Sequence, residues 1–249
     1  MTAPQTRAPS SLRPLGALYR LLLDHQVTAG RIALGTVMAV VMIGIMSLMR
    51  FVDPGTAPTD DTVGFLSVFN LGLATPVLSL VLASSSLGQL VEDETLVYVW
   101  LRPTPRWQLA AAAWLASASV AIPALVIPAS IAAIIGSGSA QVAGAVAAAT
   151  ALAALGYTSL FTLLGLIVRR SLIWGMVYLF IWELFVARVG GGASDLSLNT
   201  YPSSVLANLT DVALPQADHA TSTGVIVPVV VSVVVMALTT WRLQRGEVA

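Results

Sequence analysis

The chain has 249 residues, 57% of them hydrophobic and 10% charged, with 12 basic against 12 acidic side chains and no cysteine. Soluble domains carry about 25% charged and about 45–50% apolar residues, and here the apolar excess is gathered into long runs that leave no stretch polar enough for a soluble domain. Disulfides, thiolate metal sites and cysteine nucleophiles are excluded, and residues 1–249 read as a single transmembrane domain. All 12 basic residues are arginine. A Walker A loop needs a lysine to reach nucleotide phosphates, so the chain is expected to be no enzyme and to bind no cofactor of its own.

Residues 1–31 are expected to form an N-terminal cytoplasmic segment. Within it Leu15, Leu18, Leu22 and Val27 are spaced as one helical face, with Arg20, Asp24, His25 and Gln26 on the others. That pattern suits a helix lying in the membrane interface, or an ordinary lead-in to the first span. The first apolar run, residues 32–48, is longer than the roughly 7–15 residues of a signal peptide. It ends in Met49-Arg50-Phe51 without a small-residue cleavage site, so it is expected to be a retained span.

A spanning helix needs about 20 mostly apolar residues. Six segments meet that requirement, at about 32–52, 63–88, 107–135, 142–168, 171–189 and 223–241. Helices are expected because hydrocarbon offers backbone N–H and C=O groups no partner. A barrel would show alternating segments of about ten residues, whereas residues 122–135 and 225–235 are continuous apolar runs. The fold expected is all-α and integral to the membrane, with six transmembrane helices.

The arginines orient the spans. Arg7, Arg13, Arg20 and Arg31 precede the first; Arg102 and Arg106 lie between the second and third; Arg169 and Arg170 between the fourth and fifth; Arg242 and Arg245 follow the sixth. Only Arg50 and Arg188 fall on the other side, so the positive-inside rule puts both termini in the cytoplasm. Pro76, Pro123 and Pro128 predict kinks or breaks within spans. Gly144 and Ala148, with Ala143, Ala147 and Ala151, provide small faces for close helix contact. Trp107, Trp114, Trp174, Trp182 and Trp241 near span ends suit interfacial anchors. Residues 136–141 read as a short external turn, and 190–224 as a long external loop in which 204–214 has the makings of a short helix. His25 and His219 fall on opposite faces and cannot share a metal.

The stretch between the second and third spans holds most of the charge. Glu92, Asp93 and Glu94 stand at the membrane edge, followed by apolar Leu96, Val97, Val99, Trp100 and Leu101, then Arg102, Pro103, Pro105 and Arg106. Prolines end one helix and open the next. Two readings fit: a short amphipathic helix on the cytoplasmic surface with its charges offered to a partner, or a solvated loop whose charges only fix topology.

In this arrangement the chain resembles the permease subunits of type-2 ABC exporters, bacterial proteins with six spans, an acidic cytoplasmic stretch after the second, a leucine-rich short helix and a Pro-Ser-Arg-like turn into the third. The matching positions are Glu92, Asp93, Glu94, Thr95, Leu96, Leu101, Pro105 and Arg106. The chain departs from the pattern where Glu94-Thr95 replaces Gly-Thr and Thr104-Pro105-Arg106 replaces Pro-Ser-Arg. The resemblance implies a permease in the bacterial plasma membrane that forms a substrate path with a second permease chain, identical or different. It implies separate cytoplasmic ATPase subunits, holding ATP and Mg, coupled through a helix at Glu92, Asp93, Glu94, Thr95, Leu96, Arg102 and Arg106 and through the interfacial N-terminal helix. Bilayer lipid is a further expected partner and nucleic acid is not.

Glu183, in Trp182-Glu183-Leu184, is the acid expected inside a span. Such a residue costs roughly 2.5–3.5 kcal/mol on insertion scales. It would either line a translocation path or serve packing, by a helix-packing bond or a pair with Arg188. A self-contained secondary transporter would need an internal repeat and several buried ionisable groups, and no repeat is evident. No HExxH, GxSxG or paired-Asp motif points to a membrane enzyme.

Overall fold

The computed structural model describes residues 13–52, 58–92, 105–183, 185, 191–215 and 217–245, which form helices and connecting turns, with no strand among them. Helix α1 (Arg13–Gln26) turns at Val27-Thr28 into α2 (Ala29–Val52). Next, α3 (Pro58–Leu66), a π-helical stretch (Ser67–Ala74) and α4 (Thr75–Glu92) make one continuous rod. Then come α5 (Arg106–Ser137), α6 (Ala140–Ile167) and α7 (Ser171–Val177), the last continuing as a π-helical turn over Tyr178–Glu183. A 3-10 turn (Gly191–Leu196), α8 (Thr200–Thr210) and α9 (Thr221–Arg245) complete the chain.

Five of these helices are long and apolar enough to cross a membrane: Ala29–Val52, Thr59–Gly88, Arg106–Ser137, Ala140–Ile167 and Thr221–Arg245. They match five of the expected spans, each starting one to four residues earlier. The expected span at 171–189 is represented by a shorter apolar helix, Ser171–Glu183. Of the rest of that expected span, residues 184 and 186–189 lie outside the described residues.

Helix α6 is the hub, packed against α4, α5, α8 and α9. The apolar windows of the α3–α4 rod and of α6 are 61% and 56% buried, whereas that of α2 is only 11% buried. The inner helices are therefore those with polar side chains facing protein. Asn70, Ser79, Ser84, Thr150, Thr158 and Thr162 are all buried, and Thr150, Thr158 and Thr162 return their hydroxyls to carbonyls one turn back. The larger apolar core lies between them, with Tyr157, Phe161, Leu66 and Leu71 fully enclosed.

At Pro76, where a kink or break is expected, the rod is unbroken but its winding changes. Proline has no N–H for the carbonyl one turn earlier, and just before it the backbone widens so that the Thr75 N–H reaches the Asn70 carbonyl, five residues back. Asn70 Nδ2 then donates to Thr150 Oγ1 at 2.7 Å, fastening the widened turn to α6. By contrast, α5 passes through Pro123 and Pro128 without leaving the α-helix. The turn into α6 takes two residues: Gly138 adopts φ 67° and its N–H caps Ile134 O at 2.8 Å, while the Ser139 hydroxyl accepts from the Val142 N–H.

Of the small residues expected to give close helix contact, Ala143 is buried in the core and Ala147 and Ala151 are half-buried. Gly144 and Ala148 are exposed, and a Cβ at Gly144 would meet nothing within 4 Å. The buried small residues of α6 also include Ala145, Ala149 and Ala153, and the closest approach to another helix's backbone is at Gly165. A Cβ there would lie 2.5 Å from the Ser84 carbonyl oxygen of α4. Backbone cannot yield as a flexible side chain would, so Gly165→Ala is expected to destabilise by about 1–3 kcal/mol. Gly144→Ala should be neutral or slightly stabilising, since it removes a helix-interior glycine. Thermal unfolding of both variants in detergent checks this; equal midpoints would refute the close approach.

Candidate functional site: a buried carboxylate and the ends of the spans

The best-defined polar cluster gathers around Glu183, which is 7% exposed. Its position follows from the π turn that ends the short apolar helix. Residues five apart stand one turn apart in that winding, which brings the Tyr178 hydroxyl to Glu183 Oε1 at 3.1 Å. The other donors come from beyond the 3-10 turn: the Ser197 hydroxyl donates to Oε2 at 2.5 Å and the Leu198 N–H to Oε1 at 3.2 Å. Ser197 Oγ in turn accepts from the Asn199 N–H at 3.2 Å. Tyr157 lies beside the carboxylate too, fully buried, although its hydroxyl closes no hydrogen bond.

This arrangement turns the chain back into the bundle. Leu198 plugs against α6, where a Cβ at Gly156 would come within 2.9 Å of Leu198 Cδ2. Helix α8 follows, with Ser203, Ser204, Val205 and Leu206 buried against α6 and α9. The expected short helix at 204–214 thus lies earlier, at Thr200–Thr210, and is packed rather than loose. The segment leaving α8 is held down as well: the His219 N–H donates to Ser204 Oγ at 3.3 Å, and Asn208 Nδ2 donates to His219 O at 2.9 Å. The His219 ring stacks on Tyr201 at 5.0 Å, and its Nε2 lies 3.4 Å from Asp195 Oδ1, an ion-pair distance that closes no hydrogen bond. Tyr201 donates to the Asp195 carbonyl at 2.6 Å; burial, and then the Asp195 charge, raise its pKa above the usual phenol value.

Magnitudes decide what Glu183 does in this setting. Three donors, each worth about 1.5–3 kcal/mol net to a charged acceptor, are enough to offset the roughly 2.5–3.5 kcal/mol of placing an acid in a span. The carboxylate is a clamp between the end of the short helix and the returning loop. The partners are the helix's own Tyr178 and a loop rather than a second spanning helix, and Arg188, the other expected partner, lies outside the described residues.

The expected coupling residues separate. Asp93, Glu94, Thr95, Leu96 and Arg102 lie outside the described residues, as does the expected coupling helix. Glu92 is the last residue of α4 and Arg106 the first of α5. Arg106 Nη1 donates to the Leu243 carbonyl, in the last described turn of α9, at 3.0 Å. Nearby, the Arg245 guanidinium sits 4.4 Å above the Trp241 ring. On the neighbouring edge, a Cβ at Gly88 would lie 3.2 Å from Ser171 Oγ and 3.4 Å from Gly165 O, so the corner between α6 and α7 abuts α4 one turn before Glu92.

Glu183→Ala would leave the three donors without an acceptor at about 1–3 kcal/mol each, and is expected to lower the unfolding midpoint in detergent and speed proteolysis between residues 185 and 215. Ser197→Ala should cost about 1 kcal/mol, and Glu183→Gln, which keeps an acceptor for the Leu198 N–H, should fall between wild type and Glu183→Ala. Wild-type cleavage rates in all three would refute the clamp. Searches found no protein-family model and no curated protein that matches this chain.

Proposed function

We propose that the chain is the transmembrane permease subunit of an ATP-driven exporter of the type-2 ABC class, in a bacterial plasma membrane with both termini in the cytoplasm. The observation that carries this reading is the layout at one end of the bundle. There α4 stops at Glu92 and α5 begins at Arg106. That edge also receives Arg169-Arg170 at the α6–α7 corner and the end of α9, tied to α5 by Arg106. An acidic stretch rimmed by span ends suits charge-assisted pairing with arginines of a soluble partner, and the absence of lysine leaves nucleotide chemistry to that partner. In this reading α1 lies in the cytoplasmic interface, residues 96–101 form the coupling helix, and Ser171–Glu183 with the residues after it makes the sixth crossing. Two permease chains enclose the path, and two ATPase subunits holding ATP and Mg drive it.

A secondary transporter would need a carboxylate open to an ion path. Glu183, nearly buried and engaged by Tyr178, Ser197 and Leu198, favours the structural role over that alternative.

Purification from the native host in gentle detergent, followed by mass spectrometry, is expected to recover a soluble Walker A protein in near-equal amount. The double variant Glu92→Lys/Glu94→Lys should insert normally but lose transport and transport-linked ATP hydrolysis, since coupling of this kind is commonly worth about 1–3 kcal/mol. A chain recovered alone, or a double variant that transports as wild type, would overturn the reading.

A further inference from the structure

Beside α2, whose apolar window is only 11% buried, lies a groove of about 300 Å³ between α2, α4 and α5. On α2 the lining residues Arg31, Gly35 and Ala39 follow one another down a single face; Leu78 and Leu82 of α4 and Ala124 of α5 line the other side. The end beside Arg31 is rigid. Gln26, 1% exposed at the α1–α2 elbow, donates through Nε2 to Leu82 O at 3.0 Å and to Ser117 Oγ at 2.9 Å. Arg31 Nη1 donates to the Gln26 carbonyl at 3.4 Å, keeping the guanidinium at that end.

The geometry points to a binding site for one anionic phospholipid, with an acyl chain in the groove and its phosphate on Arg31. Length and lining choose the occupant. From Arg31 to Ala39 α2 rises about 12 Å, most of the roughly 15 Å of one hydrocarbon leaflet. The groove is lined almost wholly by apolar side chains over that length, which suits a hydrocarbon chain. Charge sets the headgroup: an arginine at the end of an apolar intramembrane groove pairs with phosphate, and a basic pocket between spans selects anionic lipid over zwitterionic. The site does not depend on the exporter reading or on any partner chain.

The test titrates the purified full-length chain in detergent with phosphatidylglycerol or phosphatidylcholine of matched chains and counts bound lipid by native mass spectrometry. Wild type is expected to bind one phosphatidylglycerol about fivefold more tightly than phosphatidylcholine, the preference of one interfacial arginine. Arg31→Gln should abolish the preference while Arg7, Arg13 and Arg20 still hold the topology. A Cβ at Gly35 would lie 3.8 Å from Leu78 Cδ2, so Gly35→Leu should fill the groove and weaken both lipids about tenfold or more. Gly144→Leu, on an open face, should change neither, and Ala39→Leu repeats the block one turn deeper should Gly35→Leu not fold. Equal affinity of wild type for both lipids, a preference that survives Arg31→Gln, or undiminished binding to a blocked groove would overturn the site.

Discussion

Hydrocarbon cannot hydrogen-bond a backbone N–H, a carbonyl or a carboxylate, and among the described residues four places where the chain turns, widens or ends a helix have a named partner. The widened turn before Pro76 keeps its bonding by reaching five residues back and by fastening Asn70 to Thr150. The elbow between α1 and α2 is held by Gln26 on α4 and α5. The Leu243 carbonyl of α9 receives Arg106. At the end of the short helix, the Glu183 carboxylate collects the donors that a returning loop must place somewhere. Helices supply the crossing, and a few polar side chains supply the shape.

That division explains why burial is so uneven. The α3–α4 rod and α6 carry the amides and hydroxyls and form the centre, where Gly165 lets two backbones approach closely. Helix α2 is nearly all apolar and contributes little to the interior. In a membrane such a helix needs no protein partner, because lipid tails are as apolar as its side chains. The groove beside it is open to lipid, with Arg31 at one end.

Much of the architecture was legible in the residues. Long apolar runs without lysine or clustered acids led to five helices fit to cross a membrane, and Gly138-Ser139 marked the tight turn between two of them. Pro76 marked a place where the winding changes, whereas the α-helix runs on through Pro123 and Pro128: proline forfeits one hydrogen bond, and local packing decides whether the helix opens in response. Among the small residues of α6, Gly144 and Ala148 are exposed whereas Ala145, Ala149 and Ala153 are buried. Composition cannot say which face of a nearly uniform helix turns inward.

What the sequence by itself determined is the medium and the element type. An apolar run of span length has one way to satisfy its backbone in lipid, and that way is local. The tertiary structure alone decided the long-range pairings: that Glu183 bonds to Ser197 and Leu198, that the short helix at Thr200–Thr210 is buried, that Arg106 bonds to the last helix, and that Gln26 spans three helices. In each case the partner is many residues away or in a segment without periodicity. Hydrogen bonds of that kind depend on where two helix ends come to rest, a geometry that no local spacing of residue types encodes.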